Sequence, residues 1–249
     1  DENLIQQLED ELSRQHPPED RLVYFYEHFL RVYDGGRRRR RGVFYTPAEL
    51  VEFIVHRVDE SLEHEFQLAM GLADTSTWSE LSLPGSSGAE TSNEAFVRVL
   101  DPAMGTGAFL LAVVRRCYER FHGTNAGNEG HVVQRWQFVV TEQLLPRLIG
   151  FELMLPALVI AQIQLATQLA RTGFQFQNKG KIHCHLANTL DEPRLMERVL
   201  GRDNARVTVV VGNPPFSGVS HNRQAWLRAL MRGRSPEGSR KVADYFSVD

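Results

Sequence analysis

The chain has 249 residues, 42% hydrophobic and 24% charged, with a formal net charge of −3. That length and composition suit one large α/β domain with an appendage, or two small domains. No apolar run approaches the roughly 18 residues needed to span a bilayer, and the acidic, polar N-terminus is unlike a secretion signal. Two cysteines, Cys117 and Cys184, form neither a disulfide framework nor a zinc pattern, so a reducing cytoplasm is the expected compartment.

The chain opens acidic: residues 1–20 hold seven Asp and Glu against Arg14. Leu4, Ile5, Leu8 and Leu12 have helical spacing, ended by Pro17-Pro18, and a second, aromatic-rich helix from Arg21 to Tyr33 stops at Asp34-Gly35-Gly36. Residues 1–40 are thus expected to form an N-terminal helical segment. Arg37 to Arg41 follow as an unbroken basic run. Thr46-Pro47-Ala48-Glu49 predicts a third helix with a capping box and proline at its first position. Its expected apolar face includes Leu50, Phe53, Ile54, Val58 and Leu62. Residues 71–95, rich in Ser, Thr, Gly and Glu, read as a mobile connection.

Beyond that connection the pattern alternates. Strands are expected at 96–100, 147–151, 181–185 and 207–211. Helices are expected at 108–121, 155–171 and 193–200. Strand and helix in regular alternation imply a parallel sheet covered on both faces, an α/β fold. His183-Cys184-His185 puts two histidines on one face of the third strand, but no third metal ligand follows at a recognised spacing. Cys117 reads as a core residue.

The first loop, Asp101-Pro102-Ala103-Met104-Gly105-Thr106-Gly107-Ala108-Phe109, joins the first strand of the alternating region to its helix. Gly105 and Gly107 allow backbone to approach a ligand closely, and the helix start offers free N–H groups. The third glycine of the dinucleotide fingerprint is missing, as is the Lys-Ser/Thr ending of a phosphate loop. An Asp at the loop's head repels phosphate but suits a ligand with a positive centre and an ammonium group, such as S-adenosylmethionine. Glu152, at the end of the second strand, is placed to accept hydrogen bonds from ribose hydroxyls, although an acid there also serves as an ordinary helix-start charge.

The fourth strand ends in Asn213-Pro214-Pro215-Phe216. A turn is the plain reading of these residues. The chemical reading is that the Asn213 oxygen and the Pro214 carbonyl accept the two N–H bonds of a planar amine. Pro215 fixes where the Pro214 carbonyl points by biasing residue 214 towards an extended conformation. Phe216 offers a flat face for a heterocycle.

Taken in order, Tyr45-Thr46-Pro47, the Asp101–Gly107 loop, Glu152 and Asn213-Pro-Pro-Phe resemble an amino-group DNA methyltransferase of the adenine-N6 class. Phe25-Tyr-Glu-His-Phe-Leu, Arg41-Gly-Val-Phe-Tyr-Thr-Pro and Ala187-Asn188-Thr189-Leu190 are similar to the methyltransferase region of single-chain type I-like (type ISP) restriction-modification enzymes. The resemblance runs from about residue 20 to the end. It implies a Rossmann-like S-adenosylmethionine-dependent sheet over residues 41–249, incomplete at the C-terminus because four strands cannot make a seven-stranded methyltransferase sheet. It also implies that Tyr45, Thr46 and Pro47 border the cofactor's methionine, and that Asp101, Pro102, Ala103, Gly105 and Gly107 underlie methionine and ribose. Phe109 would lie beside the adenine, Glu152 would take the ribose, and Asn188 would stand where many relatives place an Asp for the adenine amine. Asn213, Pro214, Pro215 and Phe216 become the catalytic set. Met104 replaces a common cysteine, and Phe216 a common tyrosine.

The implied partners are double-stranded DNA with a flipped adenine and further domains of a longer chain, for target recognition, nuclease and ATPase work. The basic stretches at Arg37–Arg41 and between His221 and Lys241 are the expected phosphate contacts. Two alternatives stay open on sequence: methylation of a protein glutamine or an RNA amino group, and a cofactor-binding fragment without activity of its own.

Overall fold

The computed structural model describes residues 46–81, 93–124, 131–176, 180–190, 195, 199 and 206–214. The first two expected helices, both basic stretches, Tyr45, Pro215, Phe216 and most of the expected helix at 193–200 lie outside the described residues.

Four strands form one sheet: β1 (Val99–Asp101), β2 (Leu148–Glu152), β3 (His183–Leu186) and β4 (Val209–Val210). Their order is β3-β2-β1-β4, and every neighbouring pair is parallel. The helices are α1 (Ala48–His64), α2 (Ala108–Thr124), α3 (Val132–Phe138) and α4 (Leu155–Arg171). The result is an all-parallel α/β arrangement compatible with a Rossmann-like sheet. Parallel neighbours need crossover connections; α2 and α3 lie between β1 and β2 in the chain, and α4 lies between β2 and β3. All four strands therefore release their C-terminal ends at one edge.

β2 is buried at every position because both its faces are covered. Ile149 and Phe151 pack with Leu195, while Leu148 on the opposite face joins the main core. Gly150 shares that second face, and a Cβ there would meet the Met104 Sδ at 2.4 Å. Helix α4 spans the residues its periodicity predicts, with Pro156 in its first turn and Gly173 (φ +83°) just beyond its end. Leu158, Ala161, Leu165 and Leu169 form the stripe that α4 buries in the main core.

Helix α1 starts where the sequence places it, and Ile54, Val58 and Leu62 of the expected face meet the core, but the buried stripe is rotated away from Leu50 and Phe53. Val51, Val55, Asp59 and Leu62 are its buried residues, whereas Leu50 and Phe53 are exposed. The reason is electrostatic. Asp59 is fully buried, and its carboxylate accepts from Leu72 N–H (2.8 Å), Arg116 Nε (2.7 Å), and Arg120 Nε (2.9 Å) and Nη2 (2.7 Å). A charged residue at the centre of a core stripe breaks the apolar count from which the face was read.

The described ends of the connection, 71–81 and 93–95, are more ordered than its composition suggests. Gly71–Ala73 form a turn of 3-10 helix with Leu72 buried, Thr77 bridges Ala95, and the Trp78 ring packs edge-on against Phe96 at 4.6 Å. Polar residues here hold backbone: Asp74 Oδ1 accepts from Ser76 N–H and its Oδ2 from Met70 N–H. The sequence reading also passed over α3 and the π-helical turn Val139–Leu144 that continues it. A π turn inserts an extra residue per turn, so helical periodicity fails across it. Trp136 nevertheless anchors α3, buried against Phe121 and Tyr118, with its Nε1 donating to Thr172 Oγ1 at 2.7 Å.

The strands are shorter than the apolar runs. Thr208 interrupts the β1–β4 ladder with its side chain: its hydroxyl accepts from Arg98 N–H (3.0 Å) and donates to the Phe96 carbonyl (2.7 Å).

Candidate functional site

The segment after β1 is pinned to the end of β2. Met104 N–H donates to the Phe151 carbonyl and Gly105 N–H to Glu152 Oε2, each at 2.9 Å. The two glycines of the loop have different reasons to lack a side chain. Gly105 has φ +57°, and no atom of the described residues lies within 4 Å of where a Cβ would stand, so among them that face is open to a ligand. Gly107 has φ +89°, and a Cβ would touch Ala161 of α4 at 3.1 Å, so this glycine serves helix packing. Phe109 is buried as part of the main core.

Glu152 is 8% exposed, and both carboxylate oxygens hold backbone: Oε2 takes Gly105 N–H, and Oε1 takes Met154 N–H at 2.8 Å. Each oxygen keeps a second lone pair for another donor. Asp101 is fully buried. Its Oδ1 accepts from Ala103 N–H at 3.1 Å, while Oδ2 has no partner among the described residues. Burial pushes the Asp101 carboxyl up to about 7, against the Ala103 hydrogen bond, and the nearby Glu152 charge adds to the rise.

The segment after β4 lies directly against this loop. A Cβ on Gly212 would stand 2.6 Å from Asp101 Oδ1 and 3.5 Å from Pro102 Cδ. β1 and β4 are paired neighbours, and Val211 N–H still donates to the Leu100 carbonyl at 3.0 Å, so the chain leaves β4 in register with Asp101. Asn213 comes next, half-buried, and its Nδ2 donates to Thr46 Oγ1 at 3.0 Å. Pro214 is exposed.

Thr46 does not cap α1. The residue flanking the helix is Pro47, which has no side-chain cap, and the first-turn N–H groups of Leu50 and Val51 both turn to the Pro47 carbonyl. The expected capping box is therefore absent, and the Thr46 hydroxyl meets Asn213 instead. The segment after β3 closes the ring: Thr189 Oγ1 donates to the Pro102 carbonyl at 3.3 Å, and Asn188 Oδ1 accepts from Leu190 N–H at 3.1 Å.

Thr46, Pro102, Asp101, Gly105, Glu152, Asn188 and Asn213 are thus brought together at one edge of the sheet by a chain of contacts. Sequence reasoning missed the bond between Asn213 and Thr46 and the buried Asp59 that fixes α1. The spacing of Arg116 and Arg120, one helical turn apart, was the available signal for a buried acid opposite them.

The other candidates are quiet. The His183 and His185 rings lie 6.0 Å apart, burial lowers both pKa values, and no group of three metal-binding side chains occurs among the described residues. Cys117 and Cys184 are free and buried, and burial pushes each thiol up to about 12, far from a reactive thiolate. No helix among the described residues is long and apolar enough to cross a membrane.

No family model and no curated protein matches this chain. Solved structures do. A DrdV–DNA complex aligns with TM-score 0.58 and 24% identity over 88% of this chain and 20% of that one. A nuclease-deletion mutant of the type ISP restriction-modification enzyme LlaGI, in complex with a DNA substrate mimic, aligns with TM-score 0.57 and 20% identity over 86% of this chain and 16% of its own. The ATP-dependent type ISP restriction-modification enzyme LlaBIII, bound to DNA, aligns with TM-score 0.55 and 21% identity over 88% and 14%. The chain shares their fold. It spans a fifth or less of the length of these chains.

Proposed function

We propose that this chain is an S-adenosylmethionine-dependent adenine-N6 DNA methyltransferase region acting within a restriction-modification system. The observation that carries the reading is the contact of Gly212 with Asp101. It sets the loop bearing Asn213 against the glycine loop, so a donor bound at one faces an acceptor held by the other.

The donor set suits the proposed cofactor. Asp101 offers an unpartnered buried oxygen, Gly105 an open backbone face, and Glu152 its remaining lone pairs for hydroxyl donors. A cationic ligand near Asp101 favours the ionised carboxylate that burial alone disfavours. The cofactor supplies a methyl group already activated on a sulfonium. What remains for the protein is to orient the amine, and orientation is worth several kcal/mol of barrier, about 7 or more for well-aligned groups.

An adenine amine is a poor nucleophile because its lone pair is delocalised into the ring. The Asn213 oxygen and the Pro214 carbonyl accept its two N–H bonds, which favours a tetrahedral nitrogen with the lone pair turned outward. No tuned general base is needed, since the nitrogen becomes acidic on methylation. The base must leave the duplex to reach such a pocket, and Phe216 supplies a face for it to stack on.

Two measurements test the reading. Calorimetry with S-adenosylmethionine should give binding, and tritium from the labelled methyl should move to adenine-containing DNA with the full-length protein. Asn213→Ala should abolish transfer, at least 100-fold, and leave cofactor binding within about threefold. Transfer only to RNA or protein would replace the DNA reading, and full activity of Asn213→Ala would overturn the mechanism.

A further inference from the structure

The hydroxyl of Thr46 stands out because its partner is a site side chain far off in sequence rather than the helix it precedes. A threonine just before a helix ordinarily turns its oxygen onto the N–H groups of the first turn. Here Pro47 is the residue flanking the helix, which leaves Thr46 one position outside the cap, and the Thr46 oxygen meets a side chain 167 residues away. Departures of this kind from local rules collect at functional sites.

The segment carrying Thr46 is firmly based. It runs straight into α1, and α1 is locked to α2 by the Asp59 carboxylate, gripped by Arg116, Arg120 and Leu72 N–H. Helix α2 is the direct continuation of the glycine loop. Thr46 is therefore referenced to the loop that follows β1, while its partner Asn213 belongs to the chain leaving β4.

We infer that Thr46 is a positioning residue: its hydroxyl satisfies the amide nitrogen of Asn213, leaving the amide oxygen for the amine that is to be methylated. This inference rests on the function proposed above. A primary amide presents chemically opposite ends, two donors on nitrogen and an acceptor on oxygen. If nitrogen faced the substrate amine, donor would meet donor. The working orientation needs an acceptor for Nδ2, and Thr46 Oγ1 at 3.0 Å provides it. Without that acceptor, the half-buried amide loses a hydrogen bond in its productive orientation and is free to turn. The resemblance assigns Thr46 to the cofactor's methionine; the hydrogen bond assigns it to the acceptor side.

The test compares Thr46→Val, isosteric without the hydroxyl, and Thr46→Ser, which keeps it, in the full-length protein. Folding is checked by thermal melting. Cofactor affinity is measured by calorimetry, and kcat and KM for methyl transfer to adenine-containing DNA by tritium incorporation. Thr46→Val should lower kcat about 10- to 100-fold with the cofactor Kd within threefold of wild type. Thr46→Ser should restore kcat to within threefold. An undiminished kcat in Thr46→Val overturns the inference, as does a tenfold weaker cofactor Kd with unchanged kcat, which would return Thr46 to the cofactor. Failure of the wild-type protein itself to methylate adenine overturns the functional proposal and the inference with it, so the two failures are told apart by the wild-type arm.

Discussion

Asp101 combines complete burial with a carboxylate oxygen that has no partner among the described residues, and that combination has a measurable signature. Its folded-state pKa is raised from the usual 3.8 to about 7. Between those values the folded protein holds a proton that the unfolded chain has released. Stability is therefore full below about pH 4 and falls as pH rises towards 7, by up to about 4 kcal/mol for a shift of this size. Thermal melts of the ligand-free protein from pH 4 to pH 8 should show that decline, and Asp101→Asn should flatten it. The two loop glycines should also separate. Gly107→Ala meets Ala161 in addition to a strained φ and should cost about 2–4 kcal/mol of stability. Gly105→Ala meets no atom, should cost about 1–2 kcal/mol, and should weaken cofactor binding in calorimetry. Sequence alone singled out both glycines and Glu152 as candidate cofactor contacts. It could not separate the glycines, because Ala161 lies beyond the next strand and nothing local to residues 105 and 107 announces it.

At the scale of elements, α4 was legible from end to end because apolar periodicity, an initial proline and a final glycine agree. Helix α1 was legible in its position and in part of its face, through Ile54, Val58 and Leu62, but not in its capping or in the burial of Asp59. A buried carboxylate is polar by composition and core by position, and only the two arginines on α2 explain it. Asp59→Ala leaves Arg116 and Arg120 without their buried counter-charge and should destabilise the protein by about 3–5 kcal/mol, read as a lowered denaturant midpoint. The same change loosens α1 from α2, so on the proposed function methyl transfer should fall further than cofactor binding. Strand limits were blurred for a different reason. Thr208 substitutes side-chain hydrogen bonds for ladder bonds, and a β-branched threonine within an apolar run gives no warning of that exchange.

The whole molecule gathers its chemistry by topology. The β3-β2-β1-β4 order brings the β1 exit between those of β2 and β4, so one glycine loop touches both Glu152 and Gly212, the residue just before Asn213. This order was not derivable from alternation alone, which fixes parallel pairing but not which strands are neighbours. Binding to DNA, if it follows the proposal, is measured by its salt dependence, since each neutralised phosphate contributes a slope of about −0.9 in log K against log salt. Replacing Arg37 to Arg41 by alanine should reduce that slope by several units in fluorescence anisotropy titrations, with the loss of affinity shared across sequences. The contact between Gly212 and Asp101 leaves no room for even one carbon atom. Residue 212 is the tight point of the seam: an added methyl would push on the Asp101 carboxylate and, on the proposed function, draw the segment bearing Asn213 away from the glycine loop.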